Sequence, residues 1–179
     1  MVSQLKVNEI IKQSGSSITI GESGDTISVP AGATMSGAVA MTPAFWVIKS
    51  GNQTIAGDTT VQLTYETEIL DSAGAFASST FTPQEAGYYL IYAQARFNAN
   101  NDADQWKMLF YKNGAELAIG STVTRTQQTA QLTSLAELNG STDNIKFYVY
   151  HNLAGTDITV QNQSTYTYAM GFKLIGVND

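Results

Sequence analysis

From residue 45 onward the chain alternates apolar and polar side chains over short runs, broken by clusters of Gly, Asn, Asp and Ser. A period of two sends successive side chains to opposite faces of an extended strand, so the pattern predicts an all-β chain. The runs fall at 45–48, 61–65, 88–97, 106–111, 132–138, 145–150 and 166–175, which is enough for a sandwich or barrel. Lys112-Asn113-Gly114-Ala115 predicts a hairpin, because Asn-Gly accepts the positive φ of a type I′ turn. In the run at 88–97, Tyr88, Leu90 and Tyr92 share one face while Tyr89, Ile91 and Ala93 share the other. Both faces are apolar, and the expectation is that the core covers one and a neighbouring subunit the other.

Residues 1–42 have a different texture and contain no aromatic residue. Ser17-Ile18-Thr19-Ile20, Asp25-Thr26-Ile27-Ser28-Val29-Pro30 and Ala33-Thr34-Met35 repeat short β-type alternations between small residues. A thin ribbon of this kind cannot bury its one apolar face alone. Residues 17–42 are therefore expected to form a fibrous β shaft wrapped from several copies, in preference to a flexible linker. Residues 1–16 carry Leu5, Val7, Ile10 and Ile11 beside Glu9 and Lys12. These apolar side chains are too few for a core, so the segment is read as a docking peptide, helical or extended, for another protein. The remaining residues, 43–179, constitute the head domain.

Charge and cysteine content narrow the function. Only 13% of residues are charged and the formal net charge is −6, with the nine Lys and Arg scattered singly. No basic patch exists to neutralise phosphates, which excludes nucleic acid as a partner. No apolar run is long enough to span a bilayer, so membrane insertion is not expected. The absence of cysteine removes thiolate nucleophiles, Cys-based zinc sites and disulfides, and leaves oligomerisation as a route to stability. The opening residues lack a basic segment followed by an apolar run, and no secretory signal is expected.

From Pro43 to the end, the motifs occur in the order of a known family. Pro43-Ala44-Phe45 comes first, then Gly74-Ala75-Phe76, Phe81-Thr82-Pro83, Ala86-Gly87-Tyr88-Tyr89-Leu90-Ile91-Tyr92 and Tyr111-Lys112-Asn113-Gly114. The chain closes on Tyr168-Ala169-Met170-Gly171-Phe172-Lys173-Leu174-Ile175. This resembles a C1q-like globular domain, the tumour-necrosis-factor-like jelly roll. One departure is Leu138-Asn139-Gly140-Ser141-Thr142-Asp143 where the family has a tighter Leu-x-x-Gly-Asp. The resemblance implies a homotrimer, with Phe45, Trp46, Phe81, Tyr88, Tyr89, Tyr92 and Phe172 forming its interface and core. It also implies that the chain enters and leaves at the base of the jelly roll. The loops at the apex are then expected to carry Asn100, Asn101, Asp102, Asp104, Arg125, Gln127, Gln128, Thr156, Asp157, Gln161 and Asn162, which are read as receptor-binding. The N-terminal 42 residues resemble the docking peptides and β-ribbons that precede receptor-binding heads in phage tail fibres and virion appendages.

Catalytic chemistry has little to stand on. His151 is the only histidine, no nucleophile elbow accompanies it, and a structural role is expected. Glu66 and Glu68 are two apart on a presumptive strand and read as solvated surface, since nothing local forms the groove a glycoside-cleaving pair needs. Asn100, Asn101, Asp102 and Asp104 are oxygen-rich enough to suggest calcium, but the EF-hand glycine and terminal glutamate are missing. No cofactor is expected. Three Asn-x-Ser/Thr triplets, beginning at Asn52, Asn139 and Asn162, arise by chance in a chain this rich in Asn, Ser and Thr. Trp106 reads as core and Trp46 as a residue near the subunit interface. The expected function is that of a non-enzymatic virion protein. Its N-terminus would dock on tail or capsid proteins and its head would recognise a host-surface glycan or protein. A soluble C1q-like binding module of cellular origin and a decoration protein without receptor role are the alternatives.

Overall fold

The computed structural model describes residues 10–11, 14–15, 18–21, 24–26, 28, 43–98, 105–120 and 129–175. The chain divides into two compact units, Met1–Ser36 and Gly37–Asp179, ahead of the 42/43 boundary expected from composition. In the first unit none of the described residues lies in a strand or helix, and Ile10, Ile11, Ile18 and Ile20 are exposed. Leu5, Val7 and most of the expected ribbon lie outside the described residues.

The second unit is an all-β sandwich with no helix among its described residues. Its strands are β1 (Ala44–Ile48), β2 (Gln53–Ile55), β3 (Val61–Gln62), β4 (Thr67–Asp71), β5 (Phe76–Ala77), β6 (Thr80–Phe81), β7 (Ala86–Asn98), β8 (Trp106–Lys112), β9 (Ala115–Ile119), β10 (Thr129–Asn139), β11 (Ile145–His151), β12 (Ile158–Val160) and β13 (Tyr168–Lys173). One sheet runs β2-β12-β7-β13-β1-β4, with β10 also on β7. The other runs β5-β6-β11-β8-β9, with β3 on β11. Every pairing is antiparallel. Apart from the consecutive pairs β5/β6 and β8/β9, the strands that pair are nonconsecutive, as a jelly roll requires.

Alternation explains why these segments are strands and which way they face. In β11, Ile145, Phe147, Val149 and His151 are buried while Lys146, Tyr148 and Tyr150 are partly exposed. The inward faces of the two sheets meet in one aromatic core. Phe147 sits centrally, with edge contacts to Phe110 at 5.3 Å and Tyr65 at 5.7 Å between ring centroids. Phe45 lies 4.4 Å from Phe81. Such edge-on and tilted arrangements suit the ring quadrupoles and add to burial. The Asn-Gly hairpin forms as expected, with φ of 53° at Asn113 and 82° at Gly114.

Register fixes the two ends of the sandwich. Ala44 lies opposite Phe172, and Lys173 opposite Tyr89, so β1 begins where β13 ends. At the other end Tyr168 faces Gln94 and Thr129 faces Arg96. The segment that holds Thr156, Asp157, Gln161 and Asn162, expected in apical loops, contains β12, which pairs with both β2 and β7. Val160 and Ile158 anchor it in the core.

Candidate functional site

The outward face of the larger sheet is apolar. Pairing register lines up Leu70, Trp46, Met170, Tyr92 and Thr133 in one row across β4, β1, β13, β7 and β10. The rows on either side are Ala44, Phe172, Leu90 and Leu135, and Ile48, Tyr168, Gln94 and Gln131. None of these side chains is charged. Trp46 is 43% exposed, and Leu70, Leu135 and Met170 are likewise exposed. From strand spacing and rise, the patch measures about 19 Å across and about 14 Å along the strands.

Local structure holds these groups in place. Between Trp46 and Val47 the β1/β4 register skips Ile69, a bulge that leaves both Ile69 and Leu70 exposed. The Tyr92 and Tyr168 rings lie 5.6 Å apart, and the Tyr92 hydroxyl donates to Gln94 Oε1 at 2.6 Å. Burial, together with the Tyr168 hydroxyl, pushes the Tyr92 phenol up to about 12. Gln94 Nε2 donates to the carbonyls of Thr165 and Tyr166. Arg96 lies over the Tyr166 ring at 4.1 Å and borders the patch.

The residues expected at an interface or core separate cleanly. Trp46, Tyr88, Tyr92 and Phe172 are on the outward face, whereas Phe45, Phe81 and Tyr89 lie within the core of the single chain. Inward burial is complete without a partner, so of the residues expected to form interface and core, Phe45, Phe81 and Tyr89 belong to the core of the single chain. Tyr89 is tied to its own chain by a hydroxyl bond to the Glu85 carbonyl at 2.7 Å. Alternation did not single out Leu70, Met170, Leu135 or Tyr168. For Met170 and Tyr168 the signal was present in the period of β13, but β4 has no alternation to read.

Among the expected receptor-binding residues, Asn100, Asn101, Asp102, Asp104, Arg125, Gln127 and Gln128 lie outside the described residues. The described four are mixed. Asn162 is committed to its own fold, with its N–H donated to Asn52 Oδ1 and its Nδ2 to the Ser50 carbonyl, both at 3.0 Å. Gln161 donates its N–H to the Arg96 carbonyl at 2.9 Å, and its side-chain oxygen is buried. Thr156 is half-buried in the turn after Leu153, and Asp157 is exposed. Asn162 therefore secures the end of β12 through its side chain, whereas Gln161 does so through its backbone N–H alone.

The residues weighed for catalysis are structural. His151 is fully buried; its Nδ1 accepts the Leu153 N–H at 3.3 Å, which places the proton on Nε2, 3.1 Å from the Ile55 carbonyl. Both nitrogens are taken by backbone. Trp106 is core, 4.8 Å from Phe97. Glu66 and Glu68 are both exposed, and Glu66 serves in addition as the counter-charge of a buried lysine. Lys49, 1% exposed, sends its ammonium to the Thr64 carbonyl and hydroxyl at 2.8 Å and to Glu66 Oε1 at 3.0 Å. Glu66 Oε2 accepts the Ser50 N–H at 2.9 Å. No group of three or more His, Asp or Glu that would hold a metal occurs among the described residues. No helix there is long and apolar enough to cross a membrane.

No protein-family model and no curated protein matches the chain. Solved structures do. Murine APRIL at pH 8.0 superimposes with a TM-score of 0.57 at 12% identity, over 73% of this chain and 98% of that one. Eiger TNF from S. frugiperda gives 0.54 at 15% identity, over 76% of this chain and 94% of that one. At such low identity the likeness is one of architecture, and it establishes that this chain carries a TNF-like jelly roll.

Proposed function

We propose that the head is a self-assembling recognition module, in which three copies pack through the apolar face of the β4-β1-β13-β7-β10 sheet. The observation that carries this reading is that face itself: aromatic, uncharged across its three central rows, and exposed in the single chain. Exposed apolar areas of this kind are costly in water and mark surfaces that associate. The TNF-like architecture supports the same conclusion. In the fuller form of the proposal the chain is a virion fibre. Residues 1–16 dock on a tail or capsid protein, residues 17–42 form the shaft, and the end of the head remote from Ala44 meets a host-surface glycan or protein. The exposure of Ile10 and Ile11 supports the docking role.

Light scattering of the full chain at micromolar concentration is expected to give about three times the 19.2 kDa chain mass, with dissociation that depends on concentration. Replacing Trp46 and Met170 together by Glu puts two carboxylates per copy into the interface and is expected to yield a folded monomer. A wild-type protein that stays monomeric throughout would overturn the proposal.

A further inference from the structure

The other sheet has an outward face of different chemistry. Strands β8 and β11 pair Lys107 with Tyr150, Leu109 with Tyr148, and Tyr111 with Lys146. Met108, Phe110, Phe147 and Val149 between them are fully buried, so these six side chains point outward. The Tyr111 and Tyr148 rings lie 4.4 Å apart between centroids. Lys107 Nζ sits 5.1 Å from the Tyr150 ring centroid. Leu109 is outward by alternation and absent from the core cluster, yet only 4% exposed. Leu109 is thus already covered, and the outward exposed material of β8 and β11 is phenol and ammonium; Ile119, paired with Leu109 on the edge strand β9, is an exposed aliphatic at the border of the array.

Charge on this face runs against that of the chain. Neither Lys107 nor Lys146 has a carboxylate partner among the described residues, in a protein with a net charge of −6. The two lysines occupy opposite ends of the six-residue array, four residues apart along the strands, about 14 Å. The carboxylates bordering the array are Asp58, which accepts the Tyr150 hydroxyl bond at 3.2 Å, and Glu116, beside Tyr111 on the edge strand β9.

We propose that this tyrosine face binds an acidic oligosaccharide, with pyranose rings stacked on Tyr111, Tyr148 and Tyr150 and ring carboxylates received by Lys107 and Lys146. Phenol rings offer flat apolar surface with a polar tip, which suits sugars that are apolar on their C–H faces and polar at their rims. The unpaired ammoniums supply charge complementarity for an anion. A protein partner fits less well, because interface hot spots need apolar anchors near the centre of the patch, whereas Leu109 is covered and the exposed Ile119 sits on the edge strand, at the border of the array. The face lies on the sheet opposite the one proposed for self-association, so both surfaces can be used at once. Three copies then raise a weak single-site affinity through avidity.

Calorimetric titration of the full chain with tetragalacturonate tests the proposal. Maltotetraose serves as the uncharged sugar, and hexaglutamate as the anion without sugar rings. Saturable binding of tetragalacturonate is expected, with at least tenfold weaker binding of both controls. Lys107→Gln combined with Lys146→Gln, and separately Tyr148→Ala, are each expected to weaken binding at least tenfold at unchanged oligomer mass. Lys146→Gln alone, at a side chain with no hydrogen bond or ion pair among the described residues, provides a variant that leaves the sheet intact should Tyr148→Ala disturb it. Its expected effect is a severalfold loss. No saturable binding at millimolar ligand overturns the proposal, as does equal binding of maltotetraose or hexaglutamate, or indifference to the lysine substitutions.

Discussion

Lys49 shows how a charge is tolerated on an inward face. Alternation puts it with Phe45 and Val47, and all three donor sites of its ammonium find an acceptor on Thr64 or Glu66. A buried ammonium without such partners costs several kcal/mol, on the order of the penalty for any unpaired buried ion. The effect on Glu66 is measurable. Partial burial pushes its carboxyl up, but bonds from the Thr64 hydroxyl, the Lys49 ammonium and the Ser50 amide, with the Lys49 charge, bring it down to about 2 from 4.5. A carboxyl lowered in the folded state contributes stability that is complete above its unfolded value and disappears as pH falls towards its folded one. Stability is therefore expected to drop between pH 4.5 and 2. Asp143, lowered by Asn113 and Lys112, adds to the same acid limb. Thermal melts across this range are expected to show a flatter limb for Glu66→Gln, together with a lower melting temperature at pH 7, because the variant leaves Lys49 without its counter-charge.

At the scale of the element, two glycines separate crowding from backbone conformation. A Cβ on Gly171 in β13 would lie 2.7 Å from Phe45 Cε1 and 3.0 Å from the Leu90 carbonyl oxygen. The Phe45 ring thus occupies the space a side chain would need. Gly171→Val is expected to destabilise by about 1–3 kcal/mol through overpacking, read from denaturant midpoints. Gly114 has open space around it but a φ of +82°, so Gly114→Ala is expected to cost about 1 kcal/mol from backbone strain alone. The strands most legible in the sequence were β7, β11 and β13, because each has one face in the core and an unbroken period. β2, β5, β6 and β12 are two or three residues long, shorter than the pattern needs to register. β9 is an edge strand exposed at nearly every position, and its register skips Leu117, so no alternation survives. The outward apolar face was half visible: the second apolar set of β7 announced it, while its continuation onto β4 depended on a bulge that no periodicity encodes. The tyrosine face was not seen, because Tyr111, Tyr148 and Tyr150 converge only through the pairing of β8 with β11.

For the molecule as a whole, the chain divides into two compact units at Ser36 and Gly37. Under the proposed function, deleting residues 1–16 leaves an assembled head with the same mass ratio and melting temperature but abolishes incorporation into the particle. Melting is checked by calorimetry and incorporation by the protein composition of purified particles. Normal incorporation of the shortened chain would place docking elsewhere. The antiparallel pairing of β1 with β13 on one side and β4 on the other also bears on how the head withstands force. A pull transmitted into Ala44 along the axis of β1, against a head held at its far end, loads the hydrogen bonds of both ladders in shear, all at once rather than one after another. The first strand of the jelly roll then acts as a mechanical clamp, and the tether would have to break two rows of bonds together before the fold began to open.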